Sequence, residues 1–195
     1  MSQKKEKRLA HLFDATQCVG CSACVVACAQ VNYPDLLEGE NSGWAWLPAN
    51  IRKATVERAR RPVQILVQCQ QCEDAPCVKV CPFGANVVDS ETGMVKTDPD
   101  RCVGCGYCVT ACPYDVRWMH PKTGLPVKCM GEGCEELVRN GELPACVSVC
   151  PVHARSFGDI NDENSEISRR IASSRCEKIL PQKGTKPNFF VVVSK

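Results

Sequence analysis

The sequence predicts an α+β fold in which two similar modules are built from short strands and short helices. Three observations lead to this prediction. Cysteine quartets recur four times along the 195 residues. Short apolar strand patterns lie between the quartets, and turn residues separate them. Only 6% of the residues are aromatic, which suits an interior that is filled partly by something other than side chains.

The most specific motif is the stretch Cys102 to Pro113, CVGCGYCVTACP. Three cysteines stand at intervals of three, and a fourth follows four residues later with proline behind it. This is the C-x2-C-x2-C-x3-C-P run of bacterial-type ferredoxins, whose fourth thiolate binds a neighbouring cubane. Proline ends the local helical turn because it cannot donate a backbone N–H. The motif therefore needs a partner motif.

Four quartets account for 16 of the 17 cysteines, and every quartet ends in C-x3-C. They consist of Cys18, Cys21, Cys24 and Cys28; of Cys69, Cys72, Cys77 and Cys81; of Cys102, Cys105, Cys108 and Cys112; and of Cys129, Cys134, Cys146 and Cys150. Because two paired motifs make one two-cluster module, the sequence predicts two bacterial-type, two-cluster ferredoxin-like modules with four [4Fe-4S] clusters.

A disulfide scaffold and a zinc module are the alternatives. The odd cysteine number, the spacing and the lack of a recognisable secretory signal argue against disulfides. C-x2-C pairs are common in zinc sites, but three cysteines at successive threes followed by C-x3-C-P have no zinc explanation. A zinc-rich interaction module is therefore the less favoured reading.

Charge and motifs exclude other classes of function. The formal charge is +2, and it becomes about −6 once sixteen thiolates and four oxidised cubane cores are included. Bulk charge thus gives no support for nucleic-acid binding. We find no nucleophile–base pair, phosphate loop or dinucleotide fingerprint. The chain is expected to be non-catalytic.

The sequence also predicts the elements between the quartets, using apolar periodicity for strands and helices and glycine, proline and Asx residues for turns. Before and after the first quartet, we expect a frayed basic tail over 1–8, a strand over 9–13, a turn at Asp14 and Thr16, and a helix over 24–31 ending near Asn32. Between the first and fourth quartets, we expect a loop in the first half of 33–68, a strand over 63–67, and hairpins over 85–97 and 116–127 with turns at 89–93 and 121–124. After the fourth quartet, we expect an amphipathic helix over 162–175, capped by Asn161 or Asp162, and a strand over 188–193.

Some residues outside the quartets have more than one interpretation. Trp44 and Trp46 are expected either to meet a partner subunit or to cover a cluster. His120 is expected to be a turn residue and His153 a polar surface residue. The leftover Cys176 is expected to be a buried, inert thiol. A basic run is interpreted as a solvated face, with a docking patch or charge compensation as alternatives; it comprises Arg52, Lys53, Arg58, Arg60 and Arg61.

The chain resembles the four-cluster electron-transfer subunit of complex iron–sulfur molybdoenzymes, from about Leu9 to its C-terminus. That family includes the small subunits of dimethyl sulfoxide, polysulfide, thiosulfate and tetrathionate reductases. The resemblance rests on CEDAPCVKVCP, DRCVGCGYCVTACPYDVR, LPACVSVCPVHAR, FGDINDENSEIS and KILPQKGTKPN.

The resemblance implies that quartets one and four share one pair of clusters and that quartets two and three share the other. It implies Cys18, Cys21, Cys24 and Cys150 for cluster 1; Cys129, Cys134, Cys146 and Cys28 for cluster 2; Cys102, Cys105, Cys108 and Cys81 for cluster 3; and Cys69, Cys72, Cys77 and Cys112 for cluster 4. The matching modules are 1–32 plus 125–195 and 62–124, with 33–61 as a connecting loop or interface segment.

One departure from the family pattern is the spacing from Cys129 to Cys134, where MGEG replaces the more usual two residues. Its two glycines are expected to let the longer loop fold back.

The resemblance further implies that electrons pass between a molybdopterin catalytic subunit and a quinone-reactive membrane subunit in anaerobic respiration. A peripheral position on the cytoplasmic membrane follows, with export bound to the catalytic partner expected and a cytoplasmic position as the alternative. No stretch reaches the 18 apolar residues that a spanning helix needs. A hydrogenase, a formate–hydrogen complex or a tungsten aldehyde oxidoreductase are alternative complexes.

Overall fold

The computed structural model describes residues 7–38, 50–58 and 61–194. The helices are α1 Ala23–Asn32, α2 Pro34–Leu37, α3 Pro76–Lys79, α4 Tyr107–Thr110, α5 Glu132–Arg139, α6 Ala145–Ser148 and α7 Glu166–Ala172. The strands are β1 Leu9–Asp14, β2 Arg52–Arg58, β3 Arg61–Val67, β4 Asn86–Val88, β5 Val95–Thr97, β6 Trp118–Met119, β7 Pro126–Val127, β8 Arg155–Asp159, β9 Arg175–Glu177 and β10 Phe189–Ser194. Short strands and helices in mixed order confirm the predicted α+β class.

A four-stranded sheet joins the two ends of the chain in the order β8-β1-β10-β9. The strand β1 runs antiparallel to β8 and parallel to β10. All six of its residues are buried, because neighbours cover it on both edges and both faces. Both terminal strands were predicted, but their parallel pairing was not.

Two predicted hairpins are confirmed. In the first, β4 pairs with β5, and the Asp89 carboxylate accepts a 2.8 Å hydrogen bond from the Thr92 N–H within the turn. The turn ends at Gly93, whose φ of 67° favours glycine. In the second, β6 pairs with β7, and the Gly124 N–H closes the turn on the His120 carbonyl at 2.8 Å.

The segment 33–61 is not all loop, which corrects the prediction for its first half. Pro34 starts the short helix α2, because its fixed φ suits the first helical position. At the other end of the segment, β2 pairs in register with β3. The hairpin therefore crosses the predicted boundary between residues 61 and 62.

The helix near residue 167 is shorter than predicted, and its predicted cap is wrong. It covers Glu166–Ala172, and the Ser165 hydroxyl caps it by accepting from the Ser168 N–H at 3.1 Å. The carboxylate of Asp162 instead accepts from the Asn164 N–H in the preceding turn. Arg175 lies in strand β9 rather than in the helix.

The basic tail is held at its inner end. The Arg8 N–H donates to the Asp159 carboxylate at 2.8 Å, so the predicted fraying does not reach Arg8. The predictions for residues 1–6, for Trp44 and Trp46 and for Arg60 lie outside the described residues.

Of the basic run, Arg52 is exposed and forms an ion pair with Asp115. Within the described residues, we find no helix with the length and apolarity to cross a membrane.

Candidate metal centres

Three cavities are each lined by four cysteines from two different quartets. One cavity is lined by Cys18, Cys21, Cys24 and Cys150. A second is lined by Cys81, Cys102, Cys105 and Cys108. A third is lined by Cys69, Cys72, Cys77 and Cys112. In each case three cysteines of one quartet meet the last cysteine of another, so these cavities match the groups implied for clusters 1, 3 and 4.

The fourth group is buried and held by an asparagine at the end of α1. All four of its cysteines, Cys28, Cys129, Cys134 and Cys146, are buried. The Asn32 amide nitrogen lies 3.3 Å from the Cys134 sulfur and 3.6 Å from the Cys28 sulfur. Its side-chain oxygen accepts from the Cys134 N–H at 3.1 Å. One side chain thus bridges two quartets that are far apart in sequence.

Local backbone geometry aims the last cysteine of a quartet away from its own motif. After Cys81 and Cys150 the chain turns at proline, and the sulfur of each accepts an N–H bond of 3.3 Å from the alanine four residues on, Ala85 or Ala154. These bonds fix the direction of the thiol at the end of the short helix. The crossed ligand assignment remains a prediction, and this geometry supports it.

The donor set fits cubane clusters. Four sulfurs that surround a shared space can each bind a different iron, which is the ligation of a [4Fe-4S] cluster. Among the described residues, no three histidine, cysteine or acidic side chains are close enough to hold a single metal ion. Sulfurs spread around a cavity are expected when each binds its own iron.

Burial makes several of these thiols weak acids in the metal-free chain. Burial raises the pKa of Cys28 and of Cys72 to about 12 each, and it raises the pKa of Cys146 to about 11. The pKa of Cys81 is lowered: burial opposes ionisation, but N–H donors from Asn86, Ala85 and Phe83 outweigh it. A thiolate in the buried groups therefore needs a positive neighbour, which iron supplies.

Buried cations and amides surround the sulfurs, and the cysteine spacing alone did not reveal them. The Gln68 amide nitrogen lies 3.5 Å from the Cys129 sulfur. Nε2 of the fully buried His11 lies 3.8 Å from the same sulfur. Arg117 and Arg155 are buried beside cysteines of different quartets. The sequence did contain one signal for the arginines, since each stands five residues after the last cysteine of its quartet.

The glycines between Cys129 and Cys134 serve close packing. Neither glycine has a positive φ. A Cβ on Gly133 would lie 2.2 Å from the Val31 carbonyl oxygen, and one on Gly131 would lie 2.6 Å from the Asn32 side chain. The longer spacing thus begins helix α5 directly against the end of α1. Close packing against α1, and not the predicted folding back of the loop, therefore explains the two glycines.

The remaining candidates lie outside the four groups. His120 is in the predicted turn, but it is buried, stacks on Trp118 and has its Nε2 3.6 Å from an Asp35 oxygen. His153 is exposed, as expected for a surface residue. Cys176 is half-buried on edge strand β9 rather than fully buried, and it pairs with Val192 in the sheet.

Comparisons with known proteins agree with the cysteine geometry. Two family models described as 4Fe-4S dicluster domains match residues 17–85 and 64–160. The B subunit of polysulfide reductase from Wolinella succinogenes is 38% identical over 191 residues, covering 97% of this protein and 96% of the relative. Thiosulfate reductase electron transfer subunit PhsB of Salmonella typhi is 44% identical over 165 residues, covering 82% and 79%. Protein NrfC of Escherichia coli K12 is 37% identical over 194 residues, covering 95% and 80%.

Proposed function

Because this chain belongs to the 4Fe-4S dicluster family of electron-transfer subunits, we propose that it conducts single electrons between a molybdopterin catalytic subunit and a quinone-reactive membrane subunit. It is an iron–sulfur subunit of a respiratory reductase complex, without a catalytic site of its own. Two dicluster domains imply four [4Fe-4S] clusters. Each cluster, when bound, accepts and passes on one electron.

The exposure of the cysteines carries this proposal. Clusters 1 and 3 each have one exposed ligand candidate, Cys21 and Cys105. All four candidates for cluster 2 are buried, as are three of the four for cluster 4. Two interior sites and two surface sites are what a conducting row between two partners requires.

Electrostatic interactions between the groups support the order 1, 2, 4, 3 along the row. Cys146 of cluster 2 interacts electrostatically with Cys24 of cluster 1. Cys129 of cluster 2 interacts with Cys69 of cluster 4. Arg117 interacts with cysteines of both cluster 4 and cluster 3. In this order, both surface sites stand at the ends.

Exposed apolar side chains lie near both exposed cysteines, one at the Cys21 end and three at the Cys105 end. Beside Cys21, Val19 keeps 67% of its surface exposed. Around Cys105, Val103 and Tyr107 are each 59% exposed and Phe83 is 47% exposed. A group of exposed apolar side chains such as that around Cys105 is typical of a protein interface. Docking there would remove the end clusters from water and bring a partner's redox group close.

We assign the catalytic subunit to the Cys21 end and the membrane subunit to the Cys105 end, following the pairing of quartets implied by the resemblance. The modules 1–32 plus 125–195 and 62–124 then face different partners. The sheet that pairs β1 with β8 and β10 supports the first module. We also propose a peripheral position at the cytoplasmic membrane, on the outer face after export with the catalytic partner.

The protein's own residues would control the conduction. Burial of all four cluster 2 cysteines and of three cluster 4 cysteines excludes water and keeps the local dielectric low. Amides such as Asn32 and Gln68 donate to sulfurs, and such donors raise the reduction potential by stabilising the more negative, reduced state. The chain thus sets the energy of each site.

The test uses the intact complex with Cys21→Ser and Cys105→Ser as matched end variants. In Cys21→Ser, quinol should still reduce clusters 3 and 4, but the substrate of the catalytic subunit should no longer reoxidise them. In Cys105→Ser, quinol should fail to reduce the other clusters, while substrate still oxidises them after dithionite reduction. Electron paramagnetic resonance monitors both. The reverse pattern would show that the polarity is wrong, and unchanged quinol-linked turnover in both assembled variants would refute conduction through the row.

A further inference from the structure

An arginine stands at the same place in both halves of the chain. Arg117 follows Cys112 by five residues in CPYDVR, and Arg155 follows Cys150 by five residues in CPVHAR. The residues two places before each arginine, Asp115 and His153, have φ values of 51° and 48°. The backbone therefore takes the same uncommon turn in both repeats. Equal spacing and equal turns deliver the two guanidinium groups to equivalent positions.

Arg155 lies between the cysteines of clusters 1 and 2. It is 3% exposed, and its Nη1 lies 3.8 Å from the Cys146 sulfur. It also interacts with Cys24 of cluster 1. Burial lowers the pKa of Arg155, but Cys146, Cys24 and Cys129, once they are thiolates, outweigh burial and raise it. Its Nε and Nη2 have no hydrogen-bond partner among the described residues, so donors remain for an acceptor that those side chains do not supply.

Arg117 lies in the equivalent place between the cysteines of clusters 4 and 3. It is 2% exposed, and its Nη1 donates to the Asn86 side chain at 3.0 Å. It lines the cavity formed by Cys69, Cys72, Cys77 and Cys112 of cluster 4, and it interacts electrostatically with Cys77 and with Cys108 of cluster 3. Each arginine thus faces the third cysteine of both quartets in its own half: Cys77 and Cys108 for one, Cys24 and Cys146 for the other.

We propose that Arg117 and Arg155 are paired positioning residues, each of which sets the reduction potentials of the two clusters in its own half from a point between them. This inference rests on the proposed function, because it assumes that the four groups hold clusters. It adds that the potentials are set in pairs, 1 with 2 and 4 with 3.

The physical reason is the placement of charge. When a cluster takes up one electron from a partner, its net charge becomes more negative by one. A fixed positive charge beside it favours the reduced state, and does so strongly where burial keeps the dielectric low. A guanidinium stays protonated at every relevant pH and presents several donors in a plane. One side chain can therefore serve two clusters at once.

A merely structural role would make a different prediction. A buried charge that only balances the thiolates during folding would affect assembly, yet leave the potentials of assembled clusters unchanged. A role for these side chains in docking does not fit their exposures of 2% and 3%. The decisive measurement is therefore the potential of each cluster in a fully loaded variant.

The experiment compares Arg155→Gln and Arg117→Gln in the full chain within its complex, by redox titration with electron paramagnetic resonance. Loss of a charge-assisted donor should weaken electron uptake about tenfold or more, or about 59 mV for a one-electron couple. Arg155→Gln should shift clusters 1 and 2 only, and Arg117→Gln clusters 4 and 3 only. Arg175→Gln is the matched control, because it removes an exposed positive charge. It should shift none.

The lysine variants, Arg155→Lys and Arg117→Lys, keep the charge but lose the planar fork. They should give a smaller shift in the potentials of the same pair of clusters. If a glutamine variant contains too little iron, the lysine variant provides the test. Full iron with unmoved potentials overturns the inference, as do equal shifts in all four clusters. If neither the glutamine nor the lysine variants load, the arginines are structural and the inference is likewise wrong. Wild-type protein without iron would instead refute the proposed function.

Discussion

The amide nitrogen of Gln68 lies 3.5 Å from the sulfur of Cys129, although 61 residues separate them in sequence. Gln68 precedes Cys69, a ligand candidate of cluster 4, whereas Cys129 belongs to cluster 2. The Gln68 side-chain oxygen also accepts from Arg155 Nη1 at 2.5 Å. A single fully buried side chain therefore stands where the two predicted modules meet.

We expect Gln68→Leu to lower the potential of cluster 2 and to destabilise the protein by about 1–3 kcal/mol, because it leaves a buried arginine donor unpaired. Thermal unfolding and redox titration measure the two effects. Gln68→Glu is the matched variant, since it keeps an acceptor for Arg155 but loses the donor to Cys129. It should lower the same potential with less loss of stability. Unchanged potentials in both variants would show that the contact does not tune the cluster.

Anaerobically purified protein should contain about 16 irons per chain with equal acid-labile sulfide, because four cubanes each hold four of both. Metal analysis and a visible spectrum measure this directly. Brown protein is expected. A content of about 12 irons would indicate three clusters instead of four. Colourless protein with stoichiometric zinc would contradict the iron–sulfur assignment.

Cys112→Ser should perturb the cluster that is held mainly by Cys69, Cys72 and Cys77, because these four cysteines line one cavity. Cys105→Ser is the control, since it should perturb the cluster of its own quartet. Electron paramagnetic resonance of the reduced protein separates the two. If both variants alter the same cluster, the crossed assignment is wrong.

Cys176→Ala should leave the iron content and the spectrum of the reduced protein unchanged. Cys176 is half-buried on β9, where it pairs with Val192 in the sheet, and it lines none of the three cysteine cavities. Alanine fits an edge strand, so the stability change should be small. Loss of one cluster signal would make Cys176 a ligand.

Cluster insertion into the metal-free chain should become more favourable as the pH rises from 7 to 9. Iron binds the thiolate, but burial raises the pKa of Cys28 and Cys72 to about 12, so binding must displace protons. The same shift stabilises the metal-free fold below pH 9.0, the ordinary thiol pKa, and that contribution is lost as the pH rises toward 12. Proton release during anaerobic reconstitution measures the effect. Uptake without proton release would contradict the neutral, buried thiols.

Much of the fold could be predicted locally. The hairpins β4–β5 and β6–β7 follow from alternating apolar residues around turn signals, and both form where expected. The helix α7 did not begin where its composition suggested, because several Asx and serine residues compete as caps. The structure selects Ser165, whose hydroxyl also donates to the Asp159 carbonyl.

The sequence by itself determined the chemistry of this protein: the number of cysteine groups and the kind of cluster. These follow from spacing, because three cysteines at intervals of three must face one centre. Only the tertiary structure decided what surrounds those sulfurs. Asn32 beside Cys134, Gln68 beside Cys129 and the two arginines between quartets are contacts between segments far apart in sequence. Burial of polar groups becomes favourable only once folding brings a partner within hydrogen-bonding distance, and spacing along the chain does not encode that distance.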